Sequence, residues 1–249
     1  MKIVKKIIRL VLFVINKIIN PIGLVLERDI SKKQIEYKEN PAAGYANFSE
    51  KLARLESGGP LEWPNMQALN KAIGQFIGNS KKVVNIGAGT GTFEYYAAPN
   101  LKDTQFIASE FDNDCIEWNL KNRAQDNIVY CSKSMTDLLN EYQQFDLAVT
   151  VDVIEHITDY GAFLKEFSEL ADKAIITTPN KARTYGDLLA NPPIYYQHIR
   201  EWTPGEFYWV LKMFYSEVTL YGMPDPNIAE LSRIGLFSKM TPMIAVCKK

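Results

Sequence analysis

The chain is sparing with the residues that build disulfide scaffolds and metal modules. Its 249 residues include three cysteines and two histidines. Cys115, Cys131 and Cys247 lie far apart, with no C-x-x-C pair and no zinc-ligand spacing. A disulfide framework and a zinc module are therefore excluded, and no metal is expected. Cys131 and Cys247 sit in apolar strand-like runs, as buried free thiols do in a reducing compartment. An excess of one charge is also missing. With 28 Lys and Arg against 29 Asp and Glu, net −1, the composition gives no reason to expect nucleic acid. No apolar run approaches the ~20 residues needed to cross a bilayer. There is no internal repeat and no low-complexity tract. What remains, 47% hydrophobic and 23% charged, is the make-up of a globular protein long enough to bury a full core.

The even charge balance conceals an asymmetric N-terminus. Lys2, Lys5, Lys6, Arg9 and Lys17 occur in residues 1–20 without a single acid. On a helix advancing about 100° per residue, these five fall with Asn16 and Asn20 on one face roughly 120° wide. Aliphatic residues from Ile3 to Ile19 fill the opposite side, and Phe13 is the one large apolar residue on the polar face. A signal peptide fits poorly, because Asn16, Lys17 and Asn20 interrupt the apolar stretch and no small-x-small cleavage site follows. An amphipathic helix over 1–30, lying through residues 1–22 on an anionic membrane, fits better. The alternative is a basic-faced helix docked on the protein's own core or on a second subunit. Residues 31–80 read as a polar, turn-rich, helical extension, with Trp63-Pro64-Asn65 opening a helix of about 65–78.

From 82 onward, strand-like and helical patterns alternate. Strands are expected near 82–87, 105–109, 127–131, 145–151 and 173–178, with helices at 92–98, 112–122, 134–142 and 158–171. This rhythm makes βαβ units and a parallel sheet covered on both faces. Past 179 a Pro- and Tyr-rich insertion runs to about 202. Thr203-Pro204-Gly205-Glu206 is a capping box with proline at N1, opening a helix near 203–213. Strands near 216–220 and 243–247 finish the chain.

The chemistry is announced by Val83-Val84-Asn85-Ile86-Gly87-Ala88-Gly89-Thr90-Gly91-Thr92. An apolar strand ends in three glycines at alternate positions, a tight turn on which a ligand can touch bare backbone. A dinucleotide fingerprint, G-x-G-x-x-G, needs its third glycine at position 92, where threonine stands. About 20 residues on, the next strand ends in Glu110-Phe111-Asp112. An acid there can accept hydrogen bonds from both ribose hydroxyls of a nucleoside cofactor, and Phe111 can lie against the base. Asp112 reads equally as an N-cap, so Glu110 is the ligand candidate. A third strand end carries Asp152-Val153-Ile154-Glu155-His156.

Gly87-x-Gly89-x-Gly91 resembles motif I of the class I S-adenosylmethionine (SAM) methyltransferases. Asp152-x-x-Glu155-His156 resembles the motif after strand four in their small-molecule and glycan-pathway members. The resemblance covers about residues 80–249 and implies a Rossmann-like α/β fold. That fold is a seven-stranded sheet, mostly parallel with the last strand antiparallel, and with helices on both faces. Its SAM domain would be 81–249, with an acceptor lid at about 179–202. Gly87, Gly89 and Gly91, with Ala88 between them, would hold the amino-acid part of SAM, and Glu110 the ribose. Ser134 and Met135 would border the adenine, and Asp152 the cofactor. Two positions depart from the family pattern. Asn85 stands where an acid is usual, offering hydrogen bonds but no charge to the SAM ammonium. Ser134 replaces a second usual acid.

Methyl transfer from a sulfonium is an in-line displacement in which the enzyme mainly aligns the partners. A hydroxyl acceptor also has a proton to lose, and His198 and His156 are the only histidines to take it. His156 otherwise lines the pocket. His198 lies in an Asn191-Pro192…His198…Arg200-Glu201…Thr203 stretch similar to one found in methyltransferases of glycan and natural-product pathways; a plain packing role for it is the alternative. The leading expectation is a SAM-dependent methyltransferase acting at oxygen on a small or lipid-linked acceptor, of glycan, natural-product or quinone type. It would be cytoplasmic and peripheral on the inner face of the membrane. The alternatives are a non-catalytic SAM-fold subunit and, less well matched, a nicotinamide oxidoreductase. Oligomeric state stays open.

Overall fold

The computed structural model describes residues 48–57, 61–183, 193 and 198–249. The basic amphipathic segment at 1–30 lies outside the described residues, as do Asn191, Tyr195 and Tyr196 of the expected lid.

Helices α1 (Phe48–Glu56) and α2 (Pro64–Gly74) precede an alternating series. It runs β1 (Lys82–Ile86), α3 (Thr92–Ala97), β2 (Gln105–Ser109), α4 (Asn113–Asn122), β3 (Ile128–Cys131) and α5 (Met135–Tyr142). There follow β4 (Leu147–Thr150), a 3-10 turn at Ile154–His156, α6 (Tyr160–Leu170) and β5 (Lys173–Thr178). Last come α7 (Pro204–Leu211), β6 (Glu217–Gly222), β7 (Ser232–Arg233) and β8 (Met243–Lys248). The expected elements are present, most helices with trimmed ends, while β6 and β8 run one or two residues beyond the expected 220 and 247. The helix expected to reach 78 stops at Gly74, where the Gln75 N–H bonds to the Ala72 carbonyl and the Phe76 N–H to the Ile73 carbonyl, tightening the last turn.

All the strands among the described residues form one sheet in the order β3-β2-β1-β4-β5-β8-β6-β7. Pairing is parallel from β3 to β5, and β8 inserts antiparallel between β5 and β6. The sheet thus has eight strands rather than seven. The extra one, Ser232–Arg233, pairs only with Tyr221 and Gly222 on the edge, too short to leave an alternating pattern in the sequence.

Successive residues point to opposite faces, so each central strand feeds two cores. Val84, Ile107 and Ala148 pack with α5, α6 and α7 around Leu138, Phe167 and Phe207. Val83, Phe106 and Val149 pack with α2 and α3 around Leu69, Ile73 and Phe93. A strand buried on both faces must be apolar throughout, which is why β1 and β4 read as continuous runs. Asn85 is the polar interruption in β1, and it is buried. Four helices start on side chains that accept from otherwise orphaned N–H groups: Asp112, Ser134, Asp159 and Thr203. Both Ser134 and Thr203 form full capping boxes. Among the described residues no helix is long and apolar enough to cross a membrane.

Candidate active site

In an open parallel sheet, ligands bind beyond the carboxyl ends of the strands where the order reverses. Here that point lies between β1, which leads outward to β2 and β3, and β4, which leads the other way. A cavity of about 580 Å³ opens there, within the range of small-ligand sites. Its lining includes Asn85, Gly87, Ala88, Gly89, Glu110, Asp152, His156 and His198, so three strand ends and the segment before α7 converge on it. Gly91, Phe111, Ser134 and Met135 are not in the lining. Ser134 caps α5, Met135 packs against the core, and Phe111 is exposed.

The glycines divide the labour. A Cβ on Gly87 would come within 2.6 Å of a Val153 methyl, and one on Gly91 within 2.8 Å of the Tyr130 hydroxyl. All three glycines have positive φ, as the turn demands, and at Gly87 and Gly91 packing excludes a side chain as well. At Gly89 a Cβ would meet nothing nearer than Lys51 Nζ at 3.9 Å, which leaves bare backbone facing the cavity. The loop is tied to the next strand: the Gly87 and Ala88 N–H groups donate to the Ser109 carbonyl, and the Gly89 N–H donates to Glu110 Oε2 at 2.7 Å. Glu110 Oε1 accepts from the Phe111 and Asp112 amides. The carboxylate is therefore held in one orientation with lone pairs to spare, as a ribose contact requires. Asp112 is the N-cap of α4, which separates its role from that of Glu110.

Residues outside the motif clamp the loop. The buried Glu62 carboxylate accepts from the Thr90 and Thr92 hydroxyls at 2.9 and 2.8 Å and from Arg123 Nη2 at 3.0 Å to each oxygen. Arg123 also donates to the Thr92 hydroxyl, and its guanidinium lies 4.7 Å from the Tyr95 ring centre. Asn119 Nδ2 donates to the Gly89 carbonyl. Sequence reasoning missed all three, since each reaches the loop only through the tertiary fold.

It also missed Glu94. Asn85 Nδ2 donates to Glu94 Oε1 at 2.8 Å, so a carboxyl stands beside the position where the chain's own motif lacks one. Burial pushes the Glu94 carboxyl up to about 7, partly offset by the Asn85 hydrogen bond. Asn85 Oδ1 and Glu94 Oε2 have no partner among the described residues. A buried, unsatisfied amide oxygen in a cavity wall is an acceptor prepared for a donor, and it suits a ligand carrying an ammonium.

At the far side, Asp152 takes a φ of 50° directly after β4. Reciprocal bonds hold it there: its N–H donates to Thr177 Oγ1, whose hydroxyl donates to Asp152 Oδ1. This puts the Glu155-His156 turn over the cavity. The Glu155 carbonyl accepts from the Ile199 and Arg200 amides, which brings His198 against His156, ring centres 5.0 Å apart. His198 Nδ1 lies 2.6 Å from Glu201 Oε1, which Arg183 approaches at 3.5 Å. Although burial pushes the Glu201 carboxyl up, its hydrogen bond to His198 and the Arg183 charge hold it below the usual range. Glu201 thereby fixes the orientation and proton position of the His198 ring. Glu155, His156 and His198 offer ligand atoms within 4.8 Å of one another, a spacing that a metal ion can span.

Two outcomes are expected. Glu94 is protonated in the fold up to about pH 7 but ionises near 4.5 when unfolded. The native state binds the extra proton between those values, so this contribution to stability is complete below about 4.5 and is lost as pH rises to about 7. Thermal melts across that window should show the decline, and Glu94→Gln should flatten it. Arg123→Ala strands the Glu62 carboxylate, and chemical denaturation should register a loss of about 3–5 kcal/mol. A loss below about 1 kcal/mol, the range of exposed ion pairs, would mean the clamp is not what holds the loop.

Comparison with known proteins agrees with this geometry. A family described as "Methyltransferase domain" matches residues 62–214, more than half of the chain. No curated protein matches it. Among solved structures, the methyltransferase domain of bacterial CtHen1 is similar at 22% identity and TM-score 0.56, over 74% of this chain and 100% of that one. The plantazolicin methyltransferase BpumL, in complex with a monoazolic desmethylPZN analog and SAH, is similar at 12% identity and TM-score 0.60, over 88% and 98%. Human N-acetylserotonin methyltransferase, in complex with SAM, is similar at 10% identity and TM-score 0.53, over 82% and 57%. At these identities the structures speak to the fold, and the matched family supplies the activity. The chain belongs to the methyltransferase-domain family and is a SAM-dependent methyltransferase.

Proposed function

We propose that the enzyme methylates an oxygen of a small or lipid-linked acceptor, of glycan, natural-product or quinone type, at a membrane surface. The observation that carries the reading is the placement of His198 and His156 in the wall of the cavity that Gly89 and Glu110 also line. SAM, when bound, supplies a methyl group already activated on a sulfonium. The chain's own residues would divide the remaining tasks. Gly89 and the orphaned Asn85 Oδ1 hold the methionine end, with Glu94 behind Asn85. Glu110 holds the ribose. The histidine corner receives the acceptor hydroxyl, and His198, with Nδ1 fixed by Glu201, is where its proton is handled. Nitrogen acceptors often bring their own lone pair, so a buttressed histidine in the acceptor wall favours oxygen. Ser134 and Met135, which stand outside the lining, remain the adenine-side residues by family resemblance alone.

The membrane part rests on residues 1–22, whose basic and aliphatic faces suit an anionic inner leaflet. An acceptor held at that surface would give the helix a purpose, keeping the enzyme cytoplasmic and peripheral.

Calorimetry should show heat with SAM and none with NADH, and Glu110→Ala should weaken SAM binding. Heat with NADH alone would overturn the cofactor assignment, and unchanged affinity in Glu110→Ala would remove Glu110 from the ribose. The full chain should float with anionic liposomes and a chain lacking residues 1–22 should not. Equal flotation of the two would end the membrane proposal.

A further inference from the structure

We propose that Glu155, His156 and His198 form a binding site for a first-row divalent cation at the acceptor side of the cavity. The inference deepens the oxygen-methylation reading and rests on it. Three observations carry the site. First, ligand atoms of the three side chains lie within 4.8 Å of one another, although His198 is far along the chain from the other two. The Glu155 carbonyl, accepting from the Ile199 and Arg200 amides, ties the two segments together. Second, the Glu155 side chain is fully buried and half satisfied. Its Oε2 accepts from the Thr178 hydroxyl at 3.0 Å, while Oε1 has no partner among the described residues. A buried carboxyl oxygen without a partner is costly unless a ligand meets it. Third, Glu201 engages His198 Nδ1 at 2.6 Å, the carboxylate–histidine arrangement that orients a metal-binding imidazole and directs the other ring nitrogen to the ion.

The donor set chooses the class of ion. Two imidazoles and one carboxylate suit Mn²⁺, Fe²⁺, Co²⁺ or Zn²⁺ better than Mg²⁺, which prefers oxygen ligands and gives up water reluctantly. Three protein ligands leave coordination positions open. Burial, with the Asp152 charge nearby, pushes the Glu155 carboxyl well above its ordinary range, and a bound cation would keep it ionised. An acceptor hydroxyl at an open position would release its proton to water as the oxygen becomes a metal-bound alkoxide. That oxygen forms the bond to the methyl carbon as the sulfur–carbon bond breaks, leaving a neutral thioether. His198 would then act as ligand, with its Nε2 lone pair on the cation rather than on the acceptor's proton.

The test is Co²⁺ titration of the full chain in the absence of SAM and acceptor, followed by visible absorption, with Zn²⁺ and Mg²⁺ titrated in parallel by calorimetry. One equivalent of Co²⁺ per chain should give ligand-field bands, Zn²⁺ should displace it, and Mg²⁺ should compete weakly. Glu155→Gln and His198→Gln should abolish the bands, and Glu201→Gln should weaken binding roughly 10–100-fold through the loss of the orienting carboxylate. Absence of bands in the unaltered chain overturns the cation site, whatever the variants do. Bands that survive both Glu155→Gln and His198→Gln would place the ion elsewhere and overturn it equally. SAM calorimetry on the same preparation separates the two ideas. SAM binding without Co²⁺ binding removes the cation and leaves His198 as the base, whereas Co²⁺ binding without SAM binding removes the methyl-transfer reading.

Discussion

The glycine loop cannot hold its own shape; it depends on one buried carboxylate. Glu62 lies outside the Rossmann-like pattern, yet it accepts from two loop threonines and, at both of its oxygens, from Arg123 Nη2. A loop with glycines in left-handed conformations has little intrinsic preference for a single path. Buried, charge-assisted hydrogen bonds supply that preference, because the alternative is a carboxylate and a guanidinium left unpaired in a low dielectric. Everything on the cofactor side follows from the fixed loop. Gly89 faces the cavity, its amide fastens Glu110, and α3 starts from Gly91 at the angle that puts Glu94 under Asn85.

The acceptor side is built on another principle. There the backbone carries the strain: Asp152 sits at positive φ because Thr177 bonds it through both its N–H and its carboxylate. Such strain persists only where the surroundings over-determine it, and it is found where a side chain must be aimed. What it aims here is the 3-10 turn of Glu155 and His156. One wall is thus set by side-chain clamping of a permissive backbone. The other is set by side-chain bonding of a strained one, and the two meet between β1 and β4.

This division explains what the sequence discloses. The alternating elements, the Glu110 strand end, the Asp112 cap and the Thr203–Glu206 capping box are local signals, each complete within a few residues. Asn85 was visible as an anomaly for the same reason. Its remedy was not, because Glu94 is an acid in a short apolar helix and only the fold turns it toward β1. That acid amid Thr92-Phe93-Glu94-Tyr95-Tyr96-Ala97 was the available clue. Glu62 and Arg123 are 61 residues apart and Glu201 acts through His198, so no periodicity or spacing links them to the motif. Ser134 carries a local role that the family resemblance did not include. Its position after β3 points to the adenine by resemblance, and its hydroxyl caps α5 with Asp137. The two-residue edge strand escaped because two residues cannot alternate.

The buried orphans sharpen the case for function. Six buried side-chain polar atoms lack a partner among the described residues, and four of them belong to Asn85, Glu94, Asn119 and Glu155. Asn85 and Glu155 line the cavity, Glu94 is bonded to Asn85, and Asn119 is bonded to the Gly89 carbonyl. Each orphan costs on the order of 1–3 kcal/mol, a serious charge against a net stability of about 5–15 kcal/mol. Packing alone would have favoured apolar residues at all four positions. Concentrating unsatisfied acceptors around one cavity is therefore hard to explain as a property of the empty fold. It makes sense if the partners are supplied from outside: an ammonium at Asn85 and a cation at Glu155. On that view the departure at Asn85 is no defect of the motif. The charge has moved one side chain back, onto a carboxyl poised near neutrality that can ionise when a positive ligand arrives.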